Sequence, residues 1–283
     1  MRSARHLVQL GFTLTELAVV FAIVALLLAG AMYTLSAQTE QRNFEETRRR
    51  LDQARELVLA FAVVNGRLPC PARSANAVAG GTTIVTGNEV RNATTGACAD
   101  DSAVSDYYGG TNAGVTLGLL PASTIGFQQV DSQGFAVDAW NNRIRYAVAG
   151  KVTNCTGTPT PAPSPNPQPY FTSASNLKSN GISCQPSDLL ICKSATGISG
   201  ADCGGAANQI MSQDLVSAVI FSTGKNGAQT PGTDEAANLN GDPIFVWHTP
   251  TPSTATNGEF DDQFTWITVG ELYRRLIAAG QLP

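Results

Sequence analysis

Few residues in this chain have types and spacing suited to chemistry. Glu259, Asp261 and Asp262 set three carboxylates within four positions, and Asp234, Asn238, Asn240 and Asp242 form a second oxygen-rich run. Such groups are the hard ligands that calcium prefers, although clustered Asp and Asn also make turns. His6 lies near the N-terminus, which leaves His248 as the only imidazole of the body. A Ser-His-Asp or Cys-His nucleophilic site would have to use it. No HExxH, GxSxG or P-loop pattern occurs, and the two SxxK matches, Ser175 to Lys178 and Ser222 to Lys225, have no K-T-G companion. His248 follows Trp247 inside an expected strand and reads as a packed or surface residue. The chain is expected not to be an enzyme.

Six cysteines, Cys70, Cys98, Cys155, Cys184, Cys192 and Cys203, form no CxxC pair and have almost no histidine beside them. A zinc site is therefore disfavoured, and disulfides formed in an oxidising compartment are the better reading. Their connectivity stays open. A Cys155–Cys184 bridge would staple the base of the proline-rich run "TGTPTPAPSPNPQP" at 156–169. A Cys192–Cys203 bridge would close a short Gly-rich loop. Net charge is −4 and only 14% of the 283 residues are charged, so nucleic-acid binding has little electrostatic support.

Glu16 heads an apolar run, "LAVVFAIVALLLAGAMYTL", with no charge in the 19 positions from 17 to 35. As a helix it would span roughly 28 Å, about one hydrocarbon core. Arg2, Arg5 and His6 precede it, which favours a cytoplasmic start and a translocated body. Arg48, Arg49 and Arg50 follow the run, nearly offset by Glu40, Glu45 and Glu46. Ala29-Gly30-Ala31 would serve as a signal-peptide cleavage site. That alternative does not explain Glu16, nor why helical patterning resumes straight afterward.

The elements follow from pattern. No proline occurs from Phe12 to Val64, and Phe44, Leu51 and Val58 repeat every seven residues with Ala54 and Phe61 on the same side. One long helix is expected, apolar all round and then one-sided, stopping at Asn65-Gly66. Strands are expected at 143–149, 216–222, 244–248 and 264–269, forming an antiparallel sheet against residues 44–64. Thr268 would cap a final helix ending at Gly280, and a long irregular region is expected at 66–137.

"GFTLTEL" (Gly11 to Leu17), a short basic leader before it and the apolar run after it together resemble the leader junction of type IV pilins and type II secretion pseudopilins. "DAWNNRIRYAV" (138–148) resembles the D-P-W-G-N-x-x-x-Y segment of major pseudopilins, with Ala139 for the Pro and Asn141 for the Gly. "NGRLPCPA", "VIFSTGKNG" and "EFDDQFTWIT" resemble further parts of that fold. The resemblance implies an α+β pilin-like fold, a leader at 1–11, a transmembrane and assembly half-helix at 12–36, an amphipathic half at 37–65 and a periplasmic or extracellular body at 66–283. It implies cleavage by a prepilin peptidase between Gly11 and Phe12, N-methylation of Phe12, and pairing of Glu16 with the Phe12 amine of a neighbouring subunit. The implied partners are other pilin or pseudopilin subunits and the inner membrane, with a minor subunit the expected role. By the same resemblance, possible Ca2+ would be bound by Ser222, Asn226, Glu259, Asp261 and Asp262, with Asn226 standing where an acid is usual. The alternative is a periplasmic binding or enzymatic domain behind a signal peptide or simple anchor.

Overall fold

A computed structural model describes residues 13–74, 78–79, 82–83, 87–92, 96–98, 105–112, 115–153, 155, 169–199, 202–227 and 233–282. The side chains of 28, 30–36, 78–79, 82–83, 105–106 and 111–112 are outside that description. The expected leader, the Gly11–Phe12 junction and the proline-rich residues 156–168 lie outside the described residues. The chain is α+β and divides into two compact units, Met1–Glu45 and Glu46–Pro283.

The principal elements are α1 (Leu14–Asn65), β1 (Arg145–Val148), α2 (Ala174–Asn180), β2 (Leu190–Cys192), β3 (Gln209–Met211), β4 (Val216–Ser222), α3 (Asp234–Ala237), β5 (Ile244–Val246), β6 (Gln263–Thr268) and α4 (Val269–Ala278). From Leu17 to Leu27, within the first unit, α1 is apolar on every side. Leu14, Leu17, Val19, Val20, Phe21, Ile23, Val24, Leu26 and Leu27 are all exposed, Leu14 at 86% and Leu26 at 76%. Among the described residues no helix is long and apolar enough to cross a membrane. The uncharged run 17–35 includes residues 28 and 30–36, whose side chains are outside the description.

In the second unit α1 becomes one-sided. Thr47, Leu51, Ala54, Val58, Leu59 and Ala62 are buried, at the three- and four-residue spacing that keeps side chains on one helix face. Gly66 ends the helix with φ of +66°, and its N–H donates to the Ala62 carbonyl at 2.8 Å.

The buried stripe joins one core with a three-stranded antiparallel sheet ordered β6-β4-β1. Val219 sits opposite Ala147 on one side and Trp266 on the other. All seven residues of β4 are buried, so the central strand is covered on both faces, and Ala218, Val219, Ile220 and Phe221 follow one another without apolar–polar alternation. Arg55 links α1 to the edge strand by donating from Nε to the Trp266 carbonyl at 3.0 Å, and it pairs with Glu271 of α4. Thr268 caps α4 by accepting from the Glu271 N–H at 3.3 Å, and Leu272 and Leu276 turn inward.

One expected strand sits elsewhere. The segment 244–246 does not join the antiparallel sheet. It pairs in parallel with β2, Phe245 opposite Ile191, in a second sheet completed by β3. The reason lies in its flanks. The Asn238 side-chain amide exchanges hydrogen bonds with the Val246 backbone at 2.7 and 3.1 Å, filling the place of a strand neighbour. Asp242 accepts from the Ile244 N–H and Asn240 from the Asp242 N–H, a turn that aims β5 at β2.

All six cysteines are paired, as Cys70–Cys98, Cys155–Cys184 and Cys192–Cys203. The second closes the chain around the proline-rich run and the third closes the Gly-rich loop between β2 and β3.

Candidate functional sites

The head of α1 is built on a reciprocal pair. Thr13 donates from its N–H and its hydroxyl to Glu16 Oε2 at 2.9 and 2.8 Å, and the Glu16 N–H donates to Thr13 Oγ1 at 3.2 Å. This is a capping box, in which two otherwise unsatisfied helix-start donors are met by side chains three positions apart. The Thr-x-x-Glu spacing was visible in the sequence and was not read there as a cap. Gly11 and Phe12, the expected cleavage and methylation residues, lie outside the described residues.

In the body, the acidic residues gather around a different partner from those singled out by sequence. Glu235, at the start of α3, meets Asp261 and Asp262 at the approach to β6, and one carboxylate oxygen from each lies within 4.8 Å of the others. The three are buried. Asn226 donates its side-chain amide to both Glu235 oxygens, at 3.0 and 3.2 Å. The Asp261 N–H donates to Glu235 Oε1 at 3.0 Å, and the Lys225 N–H to Asp261 Oδ2 at 3.0 Å. Asn238 donates to Asp262 Oδ2 at 2.7 Å. Burial raises the pKa of all three carboxyls, that of Asp262 well above the ordinary range. Nearby acids add to the effect. Glu235 entered no sequence-based ligand set; it lies 26 positions before Asp261, and only the fold brings the two together.

Ser222 and Glu259 are placed differently. The Ser222 hydroxyl donates to Asp138 Oδ2 at 2.5 Å, while Glu259 is exposed. Asp138 also accepts from the N–H groups of Trp140 and Asn142, and Asn142 donates to the Gly224 carbonyl at 2.6 Å. The segment resembling D-P-W-G-N is thus a clasp between the 138–142 turn and the 222–227 loop. Asn141 takes φ of +70°, the left-handed conformation for which Gly is the usual residue. Burial, against these donors, raises the Asp138 pKa.

His248 belongs to a polar hub. Its Nε2 lies 3.1 Å from Asp234 Oδ2 and its Nδ1 lies 2.7 Å from the Thr249 carbonyl, with the ring stacked on Phe260. The Ser194 hydroxyl donates to Asp234, not to the imidazole, and Asn257 bridges Ser194 to Asp234. Both ring nitrogens face acceptor oxygens, so no nucleophile–base contact is made there. Comparison with known proteins gives no match to a family model, to a characterised protein or to a solved structure.

Proposed function

We propose that this chain is a structural subunit, of the minor kind, of a type IV pilus or type II secretion pseudopilus, assembled through its N-terminal helix. The observation that carries this reading is the first half of α1. Residues Leu14 to Leu27 expose large apolar side chains on every side of the helix, and the only charge among them is Glu16 at the head. Water does not favour such a surface, so it calls for lipid or for neighbouring helices. The leader pattern supplies both, first a bilayer and then a fibre core. The α+β body, with the second half of α1 sharing a core with an antiparallel sheet, is compatible with a pilin-like domain.

On this reading the prepilin peptidase cuts between Gly11 and Phe12, and the new Phe12 amine is methylated. A carboxylate in hydrocarbon is unfavourable by about 3 kcal/mol at the helix centre, and less near the interface. The Thr13 donors relieve part of that cost in the single chain, and a neighbour's Phe12 amine relieves the rest in the fibre. Glu16 then sets subunit register. Mass spectrometry of the native protein is expected to find N-methyl-Phe12 as the first residue. A mature chain that begins near residue 32, or that retains Met1, overturns the proposal.

A further inference from the structure

The chain holds five Asn-Gly pairs, at Asn65, Asn180, Asn226, Asn240 and Asn257. In such a pair the glycine nitrogen follows directly on the asparagine side-chain amide, and glycine has no Cβ to obstruct a bond between them. The nitrogen must first be released from any hydrogen bond that it makes. In four of the pairs it is held. The Gly66 N–H donates to the Ala62 carbonyl at 2.8 Å, the Gly181 N–H to the Leu177 carbonyl, the Gly227 N–H to the Thr223 carbonyl at 3.2 Å and the Gly258 N–H to the Ala255 carbonyl at 3.0 Å. The Gly241 N–H has no acceptor among the described residues. Asn240 is exposed, yet its side chain is fixed. Its Oδ1 accepts from the Asp242 N–H at 2.9 Å, and its Nδ2 donates to Asp242 Oδ2 at 2.7 Å.

We propose that Asn240 is a self-modification site of the folded chain, which loses its side-chain amide there through a cyclic imide. The Gly241 nitrogen gives its proton to hydroxide and bonds to Asn240 Cγ. The Cγ–Nδ2 bond breaks, and Nδ2 takes up a proton and leaves as ammonia. Water then opens the ring at one carbonyl or the other and leaves aspartate or isoaspartate, so that water is consumed and ammonia released. Asp242 suits both ends of this step. Negative charge develops on Oδ1 as the ring closes, and the Asp242 N–H already points at that oxygen. The Asp242 carboxylate already faces the leaving nitrogen. The product sets a new carboxylate against Asp242 where an amide donated before, and isoaspartate adds a backbone atom to the turn. That turn aims β5 at β2, so the modification loosens the second sheet as the molecule ages. This inference stands apart from the assembly reading, because it depends only on the body.

The test compares the five pairs within one sample. Full-length protein in detergent is held in mildly alkaline buffer, once folded and once in urea, and peptide mass spectrometry follows the amide-to-acid change at each asparagine. Freeing a hydrogen-bonded N–H is worth about tenfold in rate, so in the folded chain Asn240 is expected to convert about tenfold faster than each of the other four. In urea the five rates are expected to draw together. Gly241 stays in place throughout, since it sits at φ of +87° and a Cβ there would meet the Gly109 carbonyl at 2.9 Å. Asn240→Gln, which cannot close the same five-membered ring, is expected to abolish the early acidic form seen by ion exchange. A folded rate at Asn240 no greater than at the other pairs overturns the proposal. So does an Asn240 lead that persists unchanged in urea, because the fold would then not be its cause, and so does an early acidic form that survives Asn240→Gln.

Discussion

Thr13 and Glu16 cap α1 by mutual exchange: each side chain accepts from the other residue's backbone N–H, at 3.2 and 2.9 Å. Glu16 therefore has two separable jobs, holding the helix start and carrying a charge. Glutamine serves a capping box nearly as well as glutamate but brings no charge. On the assembly proposal, Glu16→Gln is expected to insert, be cleaved and keep its helix start, yet fail to enter fibres. Thr13→Ala keeps the charge and loosens the cap by about 1 kcal/mol, and it is expected still to assemble. Fibre yield, measured against the membrane-bound pool, separates the two. If Glu16→Gln assembles normally and Thr13→Ala does not, the carboxylate works as a cap and the register role fails.

Asn141 occupies a backbone position where an L side chain is strained. Its N–H donates to the Asp138 carbonyl at 3.2 Å, and φ is +70°. Asn tolerates this region better than most residues, Gly better still. Asn141→Gly is expected to be neutral or slightly stabilising, and Asn141→Ala to destabilise by about 1–2 kcal/mol. Urea unfolding midpoints give the comparison, and equal midpoints for Gly and Ala count against the strain argument.

Much of the body was legible because its signals are local. The runs "VSAVIFS" and "FTWIT" are β-branched or aromatic and bounded by turn formers, and both are strands within a residue or two of expectation. Thr268 and Gly66 announced a helix start and a helix stop in the same local way. What escaped depends on distant residues. The strand Leu190–Cys192 has three residues and gains its identity from Gln209–Met211 on one side and from Ile244–Val246, over fifty positions away, on the other. Glu235 joins Asp261 and Asp262 only through the fold, and the Cys70–Cys98 pair likewise had to be shown by structure, whereas Cys155–Cys184 and Cys192–Cys203 are the two bridges that the sequence suggests. The Thr13-to-Glu16 cap is a local signal too, a Thr three positions before a Glu at the head of a helical pattern.

Arg55 is a single side chain serving three segments. It gives its Nε–H to the Trp266 carbonyl at 3.0 Å, pairs with Glu271, and reaches Glu56 at 3.3 Å. The side chain is 25% exposed, so the ion pair itself is partly screened. The larger loss on truncation is the Trp266 carbonyl left without its donor. Arg55→Ala is expected to cost about 2 kcal/mol in chemical unfolding, and Glu271→Gln less than half of that. Equal losses from both substitutions would assign the stabilisation to charge instead.

Tyr108, Tyr146, Tyr170 and Tyr273 all have raised pKa values, burial being the main cause in each. Asp188, which accepts from the Tyr108 hydroxyl at 2.7 Å, adds its negative charge at that site. Tyr170 is pushed up to about 12. Unfolded tyrosine ionises near pH 10. Above that pH the unfolded chain has given up phenolic protons that the folded chain keeps, so the native state binds more protons and stability falls as pH rises. Below about pH 10 both states are protonated and the contribution of these groups is fully present. Each tyrosine steepens the alkaline loss by up to about 1.4 kcal/mol per pH unit until its folded pKa is reached. Spectrophotometric titration is expected to show these four phenols ionising together with the loss of tertiary circular dichroism, well above pH 10. Smooth ionisation near pH 10 with the native signal intact would mean that the four rings are not sealed in the core.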